Sequence, residues 1–353
     1  MNDADVVAQE REGSLKPVID IIPDEVYENP TWKGMLYFAR DASLYVASLV
    51  GLTLVSNVWW DVPLEILMVL TVTALFVVAH DSAHGALFNT KRKNSLIGHL
   101  GMLPSWHVYE AWVLGHNRIH HAFTVRQGFD FVWHPLTPEE YRGLSRAGKV
   151  LHRLEWSWMG AGVYYAKEVW WHKMIAFAPP ARWARAIRRD RVISYSYIVG
   201  LAAVLVSVDL LRGASVGGVL WLLARAEVIP FLGFCVMIGS VVHVHHVAPE
   251  IRWWPRAEWN KFRGQMEGTT VLRVPRGVNF FFHWIMIHSP HHVDMRIPMY
   301  NLEKAAAAIE KVYPEVVHDA PLRFRDFRRN TKACKLYDFA EGHWLTYAQA
   351  ALT

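Results

Sequence analysis

Residues 64–84 read Leu64-Glu-Ile-Leu-Met-Val-Leu-Thr-Val-Thr-Ala-Leu-Phe-Val-Val-Ala79-His80-Asp-Ser-Ala-His84. From Leu64 to Ala79 the only charge is Glu65, near the start. A run of this length and apolarity predicts a helix that crosses a bilayer. It ends on His80 and His84, whose spacing puts two imidazoles on one helix face, one turn apart. The stretch therefore predicts a histidine pair where a membrane helix leaves lipid. The rest of the chain repeats that theme.

Upstream, Leu44 to Trp60 is almost uncharged and predicts a first span. Trp59-Trp60 would sit at the far interface, with Asp61-Val-Pro63 as a tight turn into the second span. Residues 41–84 then form one transmembrane hairpin. Downstream, Val192–Leu211 predicts a third span, and Val228–Val242 a fourth, extended backward through Val216–Leu223. Arg225 and Glu227 are read as marking the outer turn between two helical pieces. The fourth span ends at His243, followed by His245 and His246, so residues 192–246 make a second hairpin.

The remaining segments carry no span. Residues 1–40 are a polar arm with Pro17, Pro23 and Pro30. Residues 85–191 hold two surface amphipathic helices broken at Pro104, then an aromatic-rich interfacial helix from Glu155 to Met174. Residues 247–353 form a C-terminal cap in which Val278–Ile287 is too short to span. The chain of 353 residues is 52% hydrophobic with 17 tryptophans, as expected of a membrane protein with aromatic anchors. The two short turns carry only Arg212 and Arg225; every other Lys and Arg falls in the three long segments. That asymmetry places both termini and all histidine clusters in the cytoplasm. The fold expected is an all-α integral membrane protein: four transmembrane helices in two hairpins, capped by a cytoplasmic helical domain. Cys235 and Cys334 give no disulfide framework, and no nucleic-acid partner is expected.

Two further clusters follow the first: His116-Asn-Arg-Ile-His120-His121 and His288-Ser-Pro-His291-His292. Three clusters in one chain predict metal binding, since neutral imidazole ligates iron, zinc, copper or nickel. The candidate ligands are His80, His84, His116, His120, His121, His243, His288, His291 and His292, enough for two metal ions with open positions. His245 or His246 could replace His243, and His283 could be a ligand or an outer partner. Asp81 and Asp130 are candidate carboxylates for orienting ligand imidazoles. His99, His107, His134, His152, His172, His318 and His343 are read as ordinary surface or interface histidines. A soluble-bundle di-iron site would need two Glu-x-x-His motifs, and only Glu315-Val-Val-His318 is present. There is no His-Glu-x-x-His motif for a zinc hydrolase. Haem would want facing histidines within the spans. A transporter would place ligands at mid-depth.

These three clusters resemble the histidine boxes of the membrane-bound fatty-acyl desaturase superfamily, closest to the bacterial and plant omega-6 type. His283-Trp-Ile-Met-Ile-His288 through Val293, Ile297-Pro-Met-Tyr300-Asn-Leu302 and Lys335-Leu-Tyr-Asp338 are similar to its third-box region and tail. The chain departs in doubling up as His243-Val-His245-His246, and it has Gly239 where some desaturases have a metal-associated Asn. The resemblance implies two iron ions in a non-haem centre, O₂ as co-substrate and electrons from an external ferredoxin-like donor. The substrate would be a fatty-acyl lipid, acyl thioester or free fatty acid. It also implies a bacterial inner-membrane enzyme. Desaturation is the expected reaction. A hydroxylase, or a decarboxylase forming terminal alkenes with Arg118, Arg296 or Tyr300 holding a carboxylate, is the alternative on the same scaffold. A non-enzymatic metal-binding or transport protein is the alternative from another class.

Overall fold

A computed structural model describes residues 13–55 and 57–352. The chain is mostly helical, and three helices are long and apolar enough to cross a membrane: Trp59–His84, Ala181–Leu211 and Val216–His246. Only 11% of the apolar stretch in Ala181–Leu211 is buried in protein, so that helix leaves most of its apolar surface uncovered. The helix expected from Leu44 to Trp60 runs instead from Thr31 to Leu54. It carries Lys33, Arg40 and Asp41 and is not among the three.

The hairpin turn lies earlier than Asp61-Val-Pro63. The next helix starts at Val58, because the Asn57 side chain accepts the Trp59 N–H and caps it. Trp59 and Trp60 belong to its first turn, and Pro63 is accommodated near the start. At the other end Gly85 takes a left-handed conformation, φ 77°, and stops the helix one residue after His84.

The charges Arg225 and Glu227 do not mark a turn. They sit in a π-helical segment, Ala224–Val228, inside one continuous helix from Val216 to His246. Arg225 is buried and donates to Asp61 at 2.5 Å, tying this helix to the start of the second. The outer turn lies at residues 212–215 instead.

Between the membrane helices, Lys91–Met102 is followed by Tyr109–Gly115, with the break at Pro104 as expected. The second of these is buried rather than superficial: Tyr109, Ala111, Trp112 and Leu114 all join the core. Its line continues through a π-helical segment, His116–His120, into His121–Phe123. The Glu155–Met174 helix is broken in two: Arg146–Glu155 ends before Gly160, and Ala161 begins a helix that runs to Ile175.

The all-α expectation fails in the C-terminal cap. Strand β1 (Thr270–Arg273) pairs in parallel with β2 (His318–Pro321), and β3 (Leu336–Asp338) pairs antiparallel with β4 (His343–Leu345). The first of these strands positions the site. Val271 bridges Ile287, and the Leu272 N–H donates to the Met286 carbonyl at 2.8 Å. That register fixes the residue immediately before His288. Strands of four residues with no alternating pattern leave no periodic trace in a sequence.

Candidate metal centre

The tertiary fold brings the three clusters together in two groups. His80, His84, His116 and His291 have ligating nitrogens within 4.8 Å of one another, as do His120, His246, His288 and His292. The spacing logic holds for each cluster. His80 and His84 end the Val58–His84 helix, ring centroids 4.7 Å apart. The π-helical turn at His116–His120 widens the helix and sends His116 to one group and His120 to the other. His288 and His291 likewise divide between the two groups. His121 belongs to neither but lies between them: its Nε2 is 3.1 Å from His116 Nε2, and its ring stacks on His292 at 4.2 Å.

His243 is in neither group. Its ring packs edge-on against Trp133 and Phe327, at 4.7 and 5.3 Å. His246 fills the place expected of it, and His245 stacks on His288 at 3.8 Å. His283 is also outside both groups. Its Nε2 meets Asp41 Oδ2 at 2.7 Å with both side chains fully buried.

The outward faces of the second group fix its tautomers. His246 Nδ1 donates to the Gly268 carbonyl at 2.9 Å, which is an acceptor only. His120 Nδ1 donates to Asp130 at 3.0 Å. His292 Nδ1 donates to Gln265 Oε1 at 2.8 Å, while the same amide's NH₂ donates to the His121 carbonyl. A neutral imidazole with its proton on Nδ1 has a bare lone pair on Nε2. Three such lone pairs therefore converge, with His246 Nε2 and His292 Nε2 only 3.2 and 3.0 Å from His288 Nε2. A proton on His288 Nε2 could serve at most one of them, so the remaining lone pairs are left facing a space that a cation would satisfy. Burial also pushes the pKa of His116, His121, His288, His291 and His292 well below the usual histidine range, which favours neutral imidazoles over cations. The donor set thus fits a pair of imidazole-loving metal ions.

Asp130 is the expected orienting carboxylate. Besides His120 it accepts the Val125 and Val132 N–H groups at 2.9 and 3.0 Å. Asp81 does something different: it accepts the Met299 N–H, leaving His80 Nδ1 at 3.6 Å. Gln265, Thr124 and Gly268 were not foreseen as outer partners. They contribute through long-range contacts, for which single-chain spacing carries no signal. Of the histidines read as surface or interface residues, two are buried: His107, bonded to Tyr165 at 2.8 Å, and His152, bonded to Tyr347 at 2.8 Å.

Gly239 answers the question raised by its position. A Cβ there would stand 2.3 Å from the Ala161 carbonyl oxygen, so the helix faces close backbone contact and not the histidines. Counted back from His246, the equivalent position is Val242, which lines the cavity beside them. Gly239→Asn should therefore add no ligand. It should destabilise the protein by about 1–3 kcal/mol through overpacking, read as a lower melting temperature in detergent with metal stoichiometry unchanged in the folded fraction.

An apolar cavity leads to the site. Phe76, Val77, Trp112, Val169, Ile238 and Val241 form walls that end at His80, His116, His120, His246 and His288. Its volume is about 60 Å³. It is a narrow slot, and Lys173 is the one cation lining it.

The fatty acid desaturase family model matches residues 57–325. The chain is 30% identical over 346 residues to the sn-1 oleoyl-lipid 12-desaturase of Picosynechococcus sp., covering 95% of this chain and 93% of that one. It is 29% identical over 335 residues to the chloroplastic omega-6 fatty acid desaturase of Brassica napus, covering 94% and 72%. It is 30% identical over 314 residues to a protein of Nostoc sp. called sn-1 acyl-lipid omega-3 desaturase (ferredoxin), covering 87% and 82%. The chain belongs to the fatty acid desaturase family. It is a fatty-acyl desaturase, an oxidoreductase of lipid metabolism. The hydroxylase, decarboxylase and transporter alternatives are not favoured. The three residues considered for a carboxylate clamp stand elsewhere. Arg118 is exposed, Arg296 is engaged by Asp294, and Tyr300 stacks on Tyr37; none of the three lines the cavity.

Proposed function

We propose that this desaturase is an O₂-dependent, di-iron enzyme that places a mid-chain double bond in the acyl chain of a membrane lipid. The observation that carries this reading is the apolar slot ending on both histidine groups. An acyl chain partitions into such a slot by the hydrophobic effect, and its narrowness limits which carbons reach the histidines. His80, His84, His116 and His291 would hold one iron, and His120, His246, His288 and His292 the other, with His121 between them. Two irons bound there would supply, with O₂, the oxidising power needed to remove hydrogen from an unactivated C–H bond.

The protein's own contribution is orientation and exclusion. Asp130, the Gly268 carbonyl and Gln265 lock the imidazoles with their lone pairs inward. The slot walls keep bulk water from the reacting carbons. Lys173 lies at an exposed position on the cavity lining, where a polar head group can be met.

In the same reading the Thr31–Leu54 helix enters the membrane after Arg40 as a fourth span, paired with Val58–His84, so that residues 41–84 and 192–246 are two membrane hairpins. Residues 1–40, 85–191 and 247–353 lie in the cytoplasm of a bacterium with the site at the inner-membrane surface. The scarcity of Lys and Arg in the outer turns supports that orientation. A ferredoxin-like protein delivers the electrons.

Expression in a host without the activity, with acyl esters and free fatty acids offered side by side, tests the reaction. Mass spectrometry should find an internal double bond in the ester pool. Terminal 1-alkene from free acid alone would overturn the reading.

A further inference from the structure

One short segment concentrates positive charge outside the histidine site. Arg323, Arg325, Arg328, Arg329 and Lys332 are all exposed, against the single carboxylate of Asp326. Asp326 engages Arg329 at 3.3 Å and Arg325 at 3.9 Å. Arg323, Arg328 and Lys332 have no carboxylate partner among the described residues. The Phe324–Ala333 helix turns Phe327 and Thr331 inward, so its apolar side is already covered by protein. At the middle of the cations stands an exposed aromatic pair: Phe324 and Trp158 are 60% and 42% exposed, with ring centroids 5.7 Å apart. Arg328 lies over the Trp158 ring at 5.3 Å. An aromatic and arginine centre ringed by cations has the composition of a protein interface. A helix that sinks into lipid needs an outward apolar stripe, and here the outward face is cationic.

What lies beneath this surface gives it a purpose. Phe327 packs edge-on against His243 at 5.3 Å. Both His243 nitrogens are buried without a hydrogen-bond partner among the described residues. His243 stands three residues before His246 on the same helix, about one turn from the second histidine group. One phenyl ring and one imidazole thus separate the cationic surface from the turn that carries a ligand histidine.

We propose that the exposed face of Phe324–Ala333 docks an acidic one-electron carrier protein of the iron–sulfur type, and that Phe327 and His243 lie on the electrons' route inward. This rests on the O₂-dependent desaturase reading. Per double bond, two dockings each oxidise a carrier by one electron. Those two electrons, two protons from water and the two hydrogens taken from the acyl chain reduce O₂ to two waters. Charge complementarity of this kind speeds encounter and is weakened by salt.

The test uses the full chain in nanodiscs of neutral phosphatidylcholine and a plant-type [2Fe–2S] ferredoxin as probe. Titration calorimetry on wild type should show binding that weakens steeply between 50 and 200 mM salt, values set by the range over which screening acts. R325E/R328E/R329E should weaken binding at least about tenfold, while K91E/R92E, a reversal at another exposed basic site, should not. Phe327→Leu should keep the affinity but slow ferredoxin oxidation in stopped flow. Reduced anaerobically with dithionite, freed of excess reductant and then mixed with O₂, the triple variant should give the single-turnover product yield of wild type. Wild-type affinity in the triple variant would overturn the proposal. So would unchanged ferredoxin binding accompanied by lost binding to anionic vesicles, which would assign the face to lipid. If wild type fails to desaturate with any reductant, the desaturase reading falls. The binding comparison needs no turnover and still decides the surface.

Discussion

His246→Ala should lose turnover by at least about 100-fold, more than the loss typical for outer partners of a ligand, and should bind about one iron fewer per chain. His243→Ala should retain wild-type iron. The two residues are three apart on one helix, yet only His246 has its Nε2 among the ligating atoms of a group. Its Nδ1 proton is committed to the Gly268 carbonyl, so the inward nitrogen is a bare lone pair. His243 faces Trp133 and Phe327 and reaches no other imidazole. Metal analysis of the two purified variants separates these roles even if both slow the reaction. Full iron in His246→Ala, or lost iron in His243→Ala, would reverse the assignment.

Asp130→Asn should lower metal affinity by about 10–100-fold, the range for an outer partner that orients a ligand. The substitution keeps the shape and changes the hydrogen bonding. Asp130 Oδ1 accepts from His120 Nδ1 and the Val132 N–H, and Oδ2 from the Val125 N–H. Whichever oxygen becomes an NH₂, a donor then faces a donor. Asp130 is 1% exposed, so leaving that donor unpaired is costly. It lies between Val125 and Trp133, both held at positive φ of 51° and 53°. Such conformations persist only where their surroundings fix them. A competition titration with a chelator, alongside circular dichroism to show folding, measures the effect. Wild-type affinity in a folded Asp130→Asn protein would remove Asp130 from the site.

Much of this protein was legible in its sequence because the relevant signals are local. Sixteen residues from Leu64 to Ala79 with one charge define a membrane helix by length and composition alone. The four-residue histidine spacing follows from 3.6 residues per turn, so the pairs at His80 and His84 and at His116 and His120 were expected to sit on helices. The clusters also carried the family resemblance. The boundaries were less legible. Asn57 rather than Pro63 sets the start of the second helix, since a capping side chain outweighs a proline that falls near a helix start. Arg225 and Glu227 looked like a turn because a charge within a span is costly. For Arg225 the cost is offset by Asp61, a partner more than 160 residues away in the chain.

Tertiary structure alone decided which histidines meet. His243, His245 and His246 lie within four residues, and each step along a helix rotates a side chain by about 100°. Which of them faces the site depends on the azimuth of the whole helix, set by packing against Trp133, Phe327 and Ala161. The π-helical turn at His116–His120 and the Val271–Ile287 bridge shift register in ways no hydrophobic period records. The outer partners Gln265 and Gly268 lie 27 and 22 residues from His292 and His246, and meet them only in the fold. The sequence determined that this chain gathers histidines where membrane helices end. The division into two groups of four came from contacts between distant segments, because a hydrogen bond or a packing contact acts through space and leaves no spacing in the chain.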